Sequence, residues 1–248
     1  DGRNYMVLLG IRNQIERGSN MGRETFLVPL TWEREPFEWK ETKHLWPVVA
    51  PETGRVEILN DVVFNNSVQN KVTHFVDNFD TAQLDLNWNF RRYPIEDVYK
   101  INKEENRLNL FCHPNQIKER GRAALLGFKQ TESDFEYLTQ MYFQPKSSDS
   151  EAGISLFQKD DNYINFTIIK KGDKHHLQVY VVKNGEILEL IKNELKQYKG
   201  NIKFKVIADK DVYKLYYSLK GMHFKLFTSL EGSHLSLIHI SEPTRRYE

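Results

Sequence analysis

The side chains that could carry chemistry are common in type but scattered along the chain. Its 248 residues hold 34 Asp and Glu against 35 Lys and Arg, with 8 His and 1 Cys. Carboxylate pairs are therefore guaranteed by composition, and hydrolysis by general acid and base needs a pair singled out by a motif. No such motif is present, so no acidic residue is assigned a catalytic role. Cys112 has no second thiol for a disulfide, a redox pair or a zinc knuckle. It alternates with Leu108 and Leu110, which makes it a small core residue rather than a nucleophile. His175 and His176 follow Lys-Lys-Gly-Asp-Lys at what reads as a hairpin tip, and without further acidic or His partners they make no metal site. Trp32, Trp39 and Trp46 could stack on sugar faces, but large aromatics at strand ends read first as interface packing. Trp88 beside Arg91 and Arg92 has the makings of a cation–π stack, or equally of a solvated Arg pair next to a buried Trp. Asn65-Asn66-Ser67 and Asn165-Phe166-Thr167 match the glycosylation sequon, too short a pattern to fix a compartment.

The elements that must position these residues are strands. Apolar residues recur at period two almost throughout, and no long window keeps the three-and-four spacing of an amphipathic helix. The expected strands cover residues 5–9, 24–32, 56–59, 107–112, 135–143, 154–158, 163–170, 177–182, 202–208 and 212–218. In the second of these, Phe26, Val28, Leu30 and Trp32 share one face, and Pro29, which cannot donate to a ladder, predicts an exposed side there. Pro51-Glu52-Thr53-Gly54 reads as a turn, and Asn184-Gly185 between two apolar runs is a type I′ hairpin signal. Strands of this length at roughly 8 to 12 residue spacing predict a two-sheet sandwich. An Asn-rich stretch without periodicity places a linker at 61–71, between a segment 1–60 and a sandwich 72–235.

Composition narrows the function. A formal charge of +1 lacks the basic excess that nucleic-acid or anionic-membrane binding needs. The longest apolar run, residues 5–9, is far short of the roughly 20 residues that span a bilayer. The chain begins DGRNYMVLLG, with no initiator Met and no signal segment, and reads as a soluble fragment that starts inside a domain.

The first segment carries NYMVLLGIR, MGRETFLVPLTWE and LWPVVAPETGRVE in an order and spacing that resembles the last blade of the five-bladed propeller of family 43 glycoside hydrolases. The second carries FVDNFD, LNWNFRRYP, RLNL, LLGFKQ, EAGISLFQKDDNYI and LYYSLKG, which resembles the concanavalin A-like β-sandwich, a jelly roll, appended to that propeller in β-xylosidases and α-L-arabinofuranosidases. The resemblance covers about residues 3–235 and implies an all-β chain: a propeller remnant followed by a sandwich. It departs from the family at Gly127-Phe128-Lys129-Gln130, where Gly-Arg-Arg-Gln is more usual. From about Leu235 the sequence SLIHISEPTRRYE departs as well, and 236–248 reads as a non-biological tail on a sandwich whose closing strands are missing.

The resemblance implies exo-acting hydrolysis of xylosyl or arabinofuranosyl residues with inversion, by an acid and a base roughly 6.5 to 9.5 Å apart. The family's catalytic carboxylates lie in earlier blades, so this chain is expected to be inactive alone. Arg23, within Met21-Gly22-Arg23-Glu24-Thr25, is carried over as a substrate-binding residue, a fixed fork of donors for sugar hydroxyls; the alternative is an Arg that only pairs with a neighbouring carboxylate. If Arg23 points inward, Glu24 points away and is structural. No cofactor is expected in this chain, and calcium belongs only to the full-length parent. The expected partners are a xylo- or arabino-oligosaccharide and another copy of the chain, with neither nucleic acid nor membrane. The rival reading is a non-catalytic carbohydrate-binding or structural sandwich.

Overall fold

The computed structural model describes residues 3–12, 19–34, 45–57, 74–92, 98–119 and 121–235. They form two compact units, Asp1–Arg12 with Gly22–His74, and Asn13–Met21 with Phe75–Glu248. The expected linker at 61–71 and the tail at 236–248 lie outside the described residues.

In the first unit β1 (Asn4–Gly10), β2 (Glu24–Glu33) and β3 (Trp46–Val49) make an antiparallel sheet with β2 in the middle. Val28 is fully buried and Leu30 nearly so, as the alternation requires, whereas Trp32 on the same face is 50% exposed. Pro29 therefore sits on a central strand, not an edge. It is tolerated because the β2–β3 ladder stops one residue away, at Leu30 opposite Val49. The Pro29 carbonyl accepts from Ala50 N at 2.9 Å, on the side where the missing N–H would have pointed. Gly10 is required for a different reason, since a Cβ there would lie 2.8 Å from the Phe26 ring. The turn after β3 returns Gly54 N to the Ala50 carbonyl at 2.8 Å, with Gly54 at φ 64°. Val56 and Glu57 are not in a strand, and the rest of the strand expected at 56–59 lies outside the described residues.

The second unit is a sandwich of two four-stranded antiparallel sheets. One has the order β12-β11-β10-β9, from Glu186–Glu194, Lys174–Lys183, Asn162–Lys171 and Glu151–Lys159. The other has the order β15-β14-β13-β8, from Lys225–Glu231, Val212–Ser218, Asn201–Asp209 and Phe135–Tyr142. Two short pairs precede them: β4 (Trp88–Phe90) with β7 (Leu126–Phe128), and β5 (Tyr99–Asn102) with β6 (Arg107–Leu110). The core between the sheets takes Ile164, Phe166, Ile168, Leu177, Val179 and Val181 from one and Ile202, Phe204, Val206, Tyr213 and Leu215 from the other. Phe166 meets Phe204 edge-on at 4.9 Å and Phe227 at 5.4 Å, tying both sheets through one ring. Asn184 and Gly185, at φ 53° and 84°, turn β11 into β12 with the type I′ geometry their sequence predicts.

Cys112 is not in this core. β6 ends at Leu110, itself 42% exposed, and Cys112 lies beyond it, exposed. The alternation of 108, 110 and 112 holds only while the strand lasts.

Candidate functional site

In the first unit Gly22, at φ 70°, turns the chain into β2, so that Arg23 and Glu24 leave the turn in opposite directions. Glu24 is half-buried and is gripped by both prongs of one guanidinium: Arg12 Nε donates to Oε2 at 2.7 Å and Nη2 to Oε1 at 2.7 Å. Because Gly10 pairs with Glu24, Arg12 lies just past the end of β1, and the fork ties the two strands together at the loop end of that hairpin. Arg23 is exposed, and among the described residues no carboxylate is paired with it. The structural ion pair of this strand thus belongs to Glu24, and the five donors of Arg23 remain available. Trp32 and Trp46, on adjacent strands, are 50% and 43% exposed. Trp39 lies outside the described residues.

In the second unit the Arg91–Trp88 stack does not form. Trp88 donates its indole N–H to Asp77 Oδ2 at 2.7 Å and packs among Phe75, Phe79 and Phe128. Phe128, where the resemblance favours Arg, stacks on Phe75 at 4.8 Å, so a ring in an aromatic cluster replaces a charge. Arg91 instead lies 5.4 Å over the Phe157 ring, with its side chain 6% exposed. It donates to the Ile117 and Glu119 carbonyls and pairs with Asp160 at 2.6 Å. Arg92 reaches the same Asp160 at 3.4 Å. A guanidinium nearly removed from water and bonded to two carbonyls and a carboxylate is an anchor, here fastening the stretch around 117–119 to the β9–β10 turn.

The most ordered polar arrangement was missed by sequence reasoning. On β10 the residues between Ile164, Phe166 and Ile168 face away from the core, yet Tyr163, Asn165 and Thr167 are all buried. There the Glu151 carboxylate accepts from Tyr180 Oη at 2.7 Å, Gln178 Nε2 at 3.1 Å and Thr167 Oγ1 at 3.3 Å, while Asn165 Nδ2 donates to Tyr180 Oη at 2.7 Å. Burial first, and then the Glu151 charge, push the Tyr180 phenol well above its ordinary range. One carboxylate held by three neutral donors, with no second carboxylate in the network, is built to hold strands in register rather than to protonate a leaving group. Gly153, opposite Thr167, permits the close approach of β9 to the β10 backbone: a Cβ there would fall 2.1 Å from the Phe166 carbonyl oxygen. The only sequence signal was a strand whose outward residues were Tyr, Asn and Thr rather than charged.

A second cluster holds Tyr213, whose hydroxyl donates to Gln130 Oε1 at 3.2 Å and accepts from Asn20 Nδ2 at 2.9 Å. Gln130, the last residue of Gly-Phe-Lys-Gln, is thus a positioning side chain inside the second unit. His175 packs edge-on against Tyr198 at 5.2 Å, on β11 rather than at a hairpin tip, and the turn itself is Gly172-Asp173. Among the described residues no three His, Cys, Asp or Glu side chains come together to hold a metal ion.

Comparison with known proteins agrees with this architecture. At 29% identity over 188 residues the chain is similar to a xylosidase/arabinosidase of Butyrivibrio fibrisolvens, covering 75% of this chain and 34% of that protein. At 24% identity over 200 residues it is similar to a non-reducing end α-L-arabinofuranosidase of Bacteroides ovatus, covering 79% and 33%. The chain therefore spans about a third of the length of these curated relatives. Two solved structures share its fold: a xylan β-1,4-xylosidase from Bacillus halodurans, at TM-score 0.78 and 18% identity, and the Bacteroides ovatus xyloglucan PUL GH43B, at 0.76 and 21%. Each covers 95% of this chain and 44% of its own. The family model of the β-xylosidase C-terminal concanavalin A-like domain matches residues 76–242, two thirds of the chain, and to that family of glycoside hydrolase domains this protein belongs.

Proposed function

We propose that this chain is the C-terminal portion of an exo-acting, inverting glycoside hydrolase that removes xylosyl or arabinofuranosyl residues from hemicellulose oligosaccharides. The observation that carries the reading is the family match over 76–242 together with relatives described as xylosidase/arabinosidase and arabinofuranosidase. On this reading residues 1–60 are the last propeller blade and residues 72–235 an accessory sandwich. Arg23 binds substrate: exposed, opposed to the Arg12–Glu24 pair and without a carboxylate partner among the described residues, it offers its fork to sugar hydroxyls. On the same reading the acid and base of inversion lie in the rest of the parent enzyme and the chain alone is inactive, while Glu24 and Glu151 make structural bonds.

The experiment is to assay the chain alone, and the same chain within its full reading frame, on aryl β-xylosides and aryl α-L-arabinofuranosides. Activity confined to the long form supports the reading. Turnover by the short form that disappears when an acidic residue of this chain is replaced overturns it.

A further inference from the structure

Two stretches of the sandwich hold lysines and no acid. Residues 197–208 and 212–230 contain Lys199, Lys203, Lys205, Lys214, Lys220 and Lys225, together with His223, and neither Asp nor Glu, although acids and bases nearly balance over the whole chain. Strand alternation gathers part of this charge on one surface. On β13 Ile202, Phe204, Val206 and Ala208 enter the core, so Lys203 and Lys205 face outward. On β14 Tyr213 and Leu215 enter the core, so Lys214 and Tyr216 face outward. On the adjoining edge strand β8, Leu138, Gln140 and Tyr142 face the same way, and register sets Leu138 and Tyr216 on either side of Lys205, with Gln140 beside Lys203.

The surface carries one acid beside its lysines. The Lys205 ammonium is fixed 5.3 Å from the Tyr216 ring and 4.8 Å from the Phe224 ring, and it pairs at 4.0 Å with Glu136, which shares the outward face of β8. Lys203 Nζ reaches the Met222 sulfur at 3.4 Å, and among the described residues neither Lys203 nor Lys214 pairs with a carboxylate. Tyr142 is 64% exposed and Leu138 45%. Ammonium groups, an amide and an open aromatic ring along one sheet face offer a sugar chain three complements: charge for a carboxylate, hydrogen bonds for hydroxyls, and a ring for an apolar sugar face.

We infer that the outer face of β8-β13-β14 binds a carboxylate-bearing polysaccharide, a glycan chain substituted with uronic acid. The inference rests on the reading above only in choosing glycans as the partner, and it concerns a face distinct from the Arg23 strand. Duplex nucleic acid is the less fitting polyanion, because the overall charge is only +1 and the patch contains no Arg.

The test is native affinity electrophoresis of the 248-residue chain in gels containing glucuronic-acid-substituted xylan, polygalacturonate, uncharged arabinoxylan or duplex DNA, at low and high salt. Retardation is expected in the two acidic glycans and is lost at high salt, where screening shortens to about 3 Å. Lys203→Gln with Lys214→Gln weakens it by about 3- to 25-fold, from exposed pairs each worth a factor of up to about five. Tyr142→Ala weakens it as well, and a melting curve for each variant shows that the fold persists. Equal retardation in arabinoxylan, equal retention by DNA, no retardation at all, or binding that survives both the lysine and tyrosine substitutions would overturn the inference. Hydrolysis of aryl glycosides by the full enzyme is read separately, so a failed binding assay and a failed function are told apart.

Discussion

Tyr198 gives the sandwich an alkaline limit that can be worked out from its surroundings. The residue is 8% exposed, and its hydroxyl donates to two backbone carbonyls, those of Phe143 and of Gly200, the latter at 3.0 Å. Burial chiefly, with Tyr142 adding to it, pushes the phenol up to about 12 from an ordinary 10.0. A phenolate there would lose its only proton and face two carbonyl oxygens. The unfolded chain gives up this proton near pH 10 while the folded one keeps it to about 12, so the stability due to Tyr198 is fully present below pH 10 and is lost as pH rises toward 12. At about 1.4 kcal/mol per pH unit the loss from this one residue amounts to about 3 kcal/mol. Tyr137, Tyr163, Tyr180 and Tyr213 are shifted the same way and add to the slope. Urea unfolding followed by fluorescence at pH 8, 10 and 11 measures the loss (these pH values bracket the roughly pH 10 onset). Tyr198→Phe should cost about 1 to 3 kcal/mol near neutral pH, for the hydroxyl's lost bonds, the Gly200 carbonyl keeping its second donor, Phe143 N, at 2.8 Å, yet lose less between pH 10 and 11 than the parent chain. The reasoning fails if the two proteins lose stability in parallel across that interval.

Other changes probe the remaining parts. Phe166→Ala removes the ring shared by both sheets and should lower stability by about 3 to 5 kcal/mol, read as a shifted urea midpoint at unchanged slope. Gly153→Ala, a single methyl aimed at the Phe166 carbonyl, should cost as much as many core truncations, whereas Gly172→Ala in an open turn, though strained at φ 59°, should cost far less in the same melts. Glu24→Ala should loosen the β1–β2 end by about 1 to 3 kcal/mol, detectable as faster amide exchange there. In the full-length enzyme Arg23→Ala should lower kcat/KM by about one to two decades with little change in melting temperature.

Period-two patterning sufficed to place most of the sandwich strands, because one face of each had to be apolar to fill the core: Ile202, Phe204, Val206 and Ala208 declare β13 without help. The Asn184-Gly185 turn was equally legible, since its left-handed geometry suits few other pairs. Family motifs supplied what periodicity could not, the assignment to a glycoside hydrolase domain. Other outcomes depended on neighbours that are distant in sequence. Whether Cys112 was buried turned on where β6 stopped, and whether Pro29 lay at an edge turned on how far β3 ran. Arg91, just past the end of β4, went to Phe157 and to Asp160, 69 positions away, rather than to Trp88, because the fold brings the β9–β10 turn against it. The Glu151 network could not be read from β10 alone, since its members come from three strands and are polar residues that any one strand would have placed in water. Local alternation states which way a side chain points; only the packed sheets decide what it meets there.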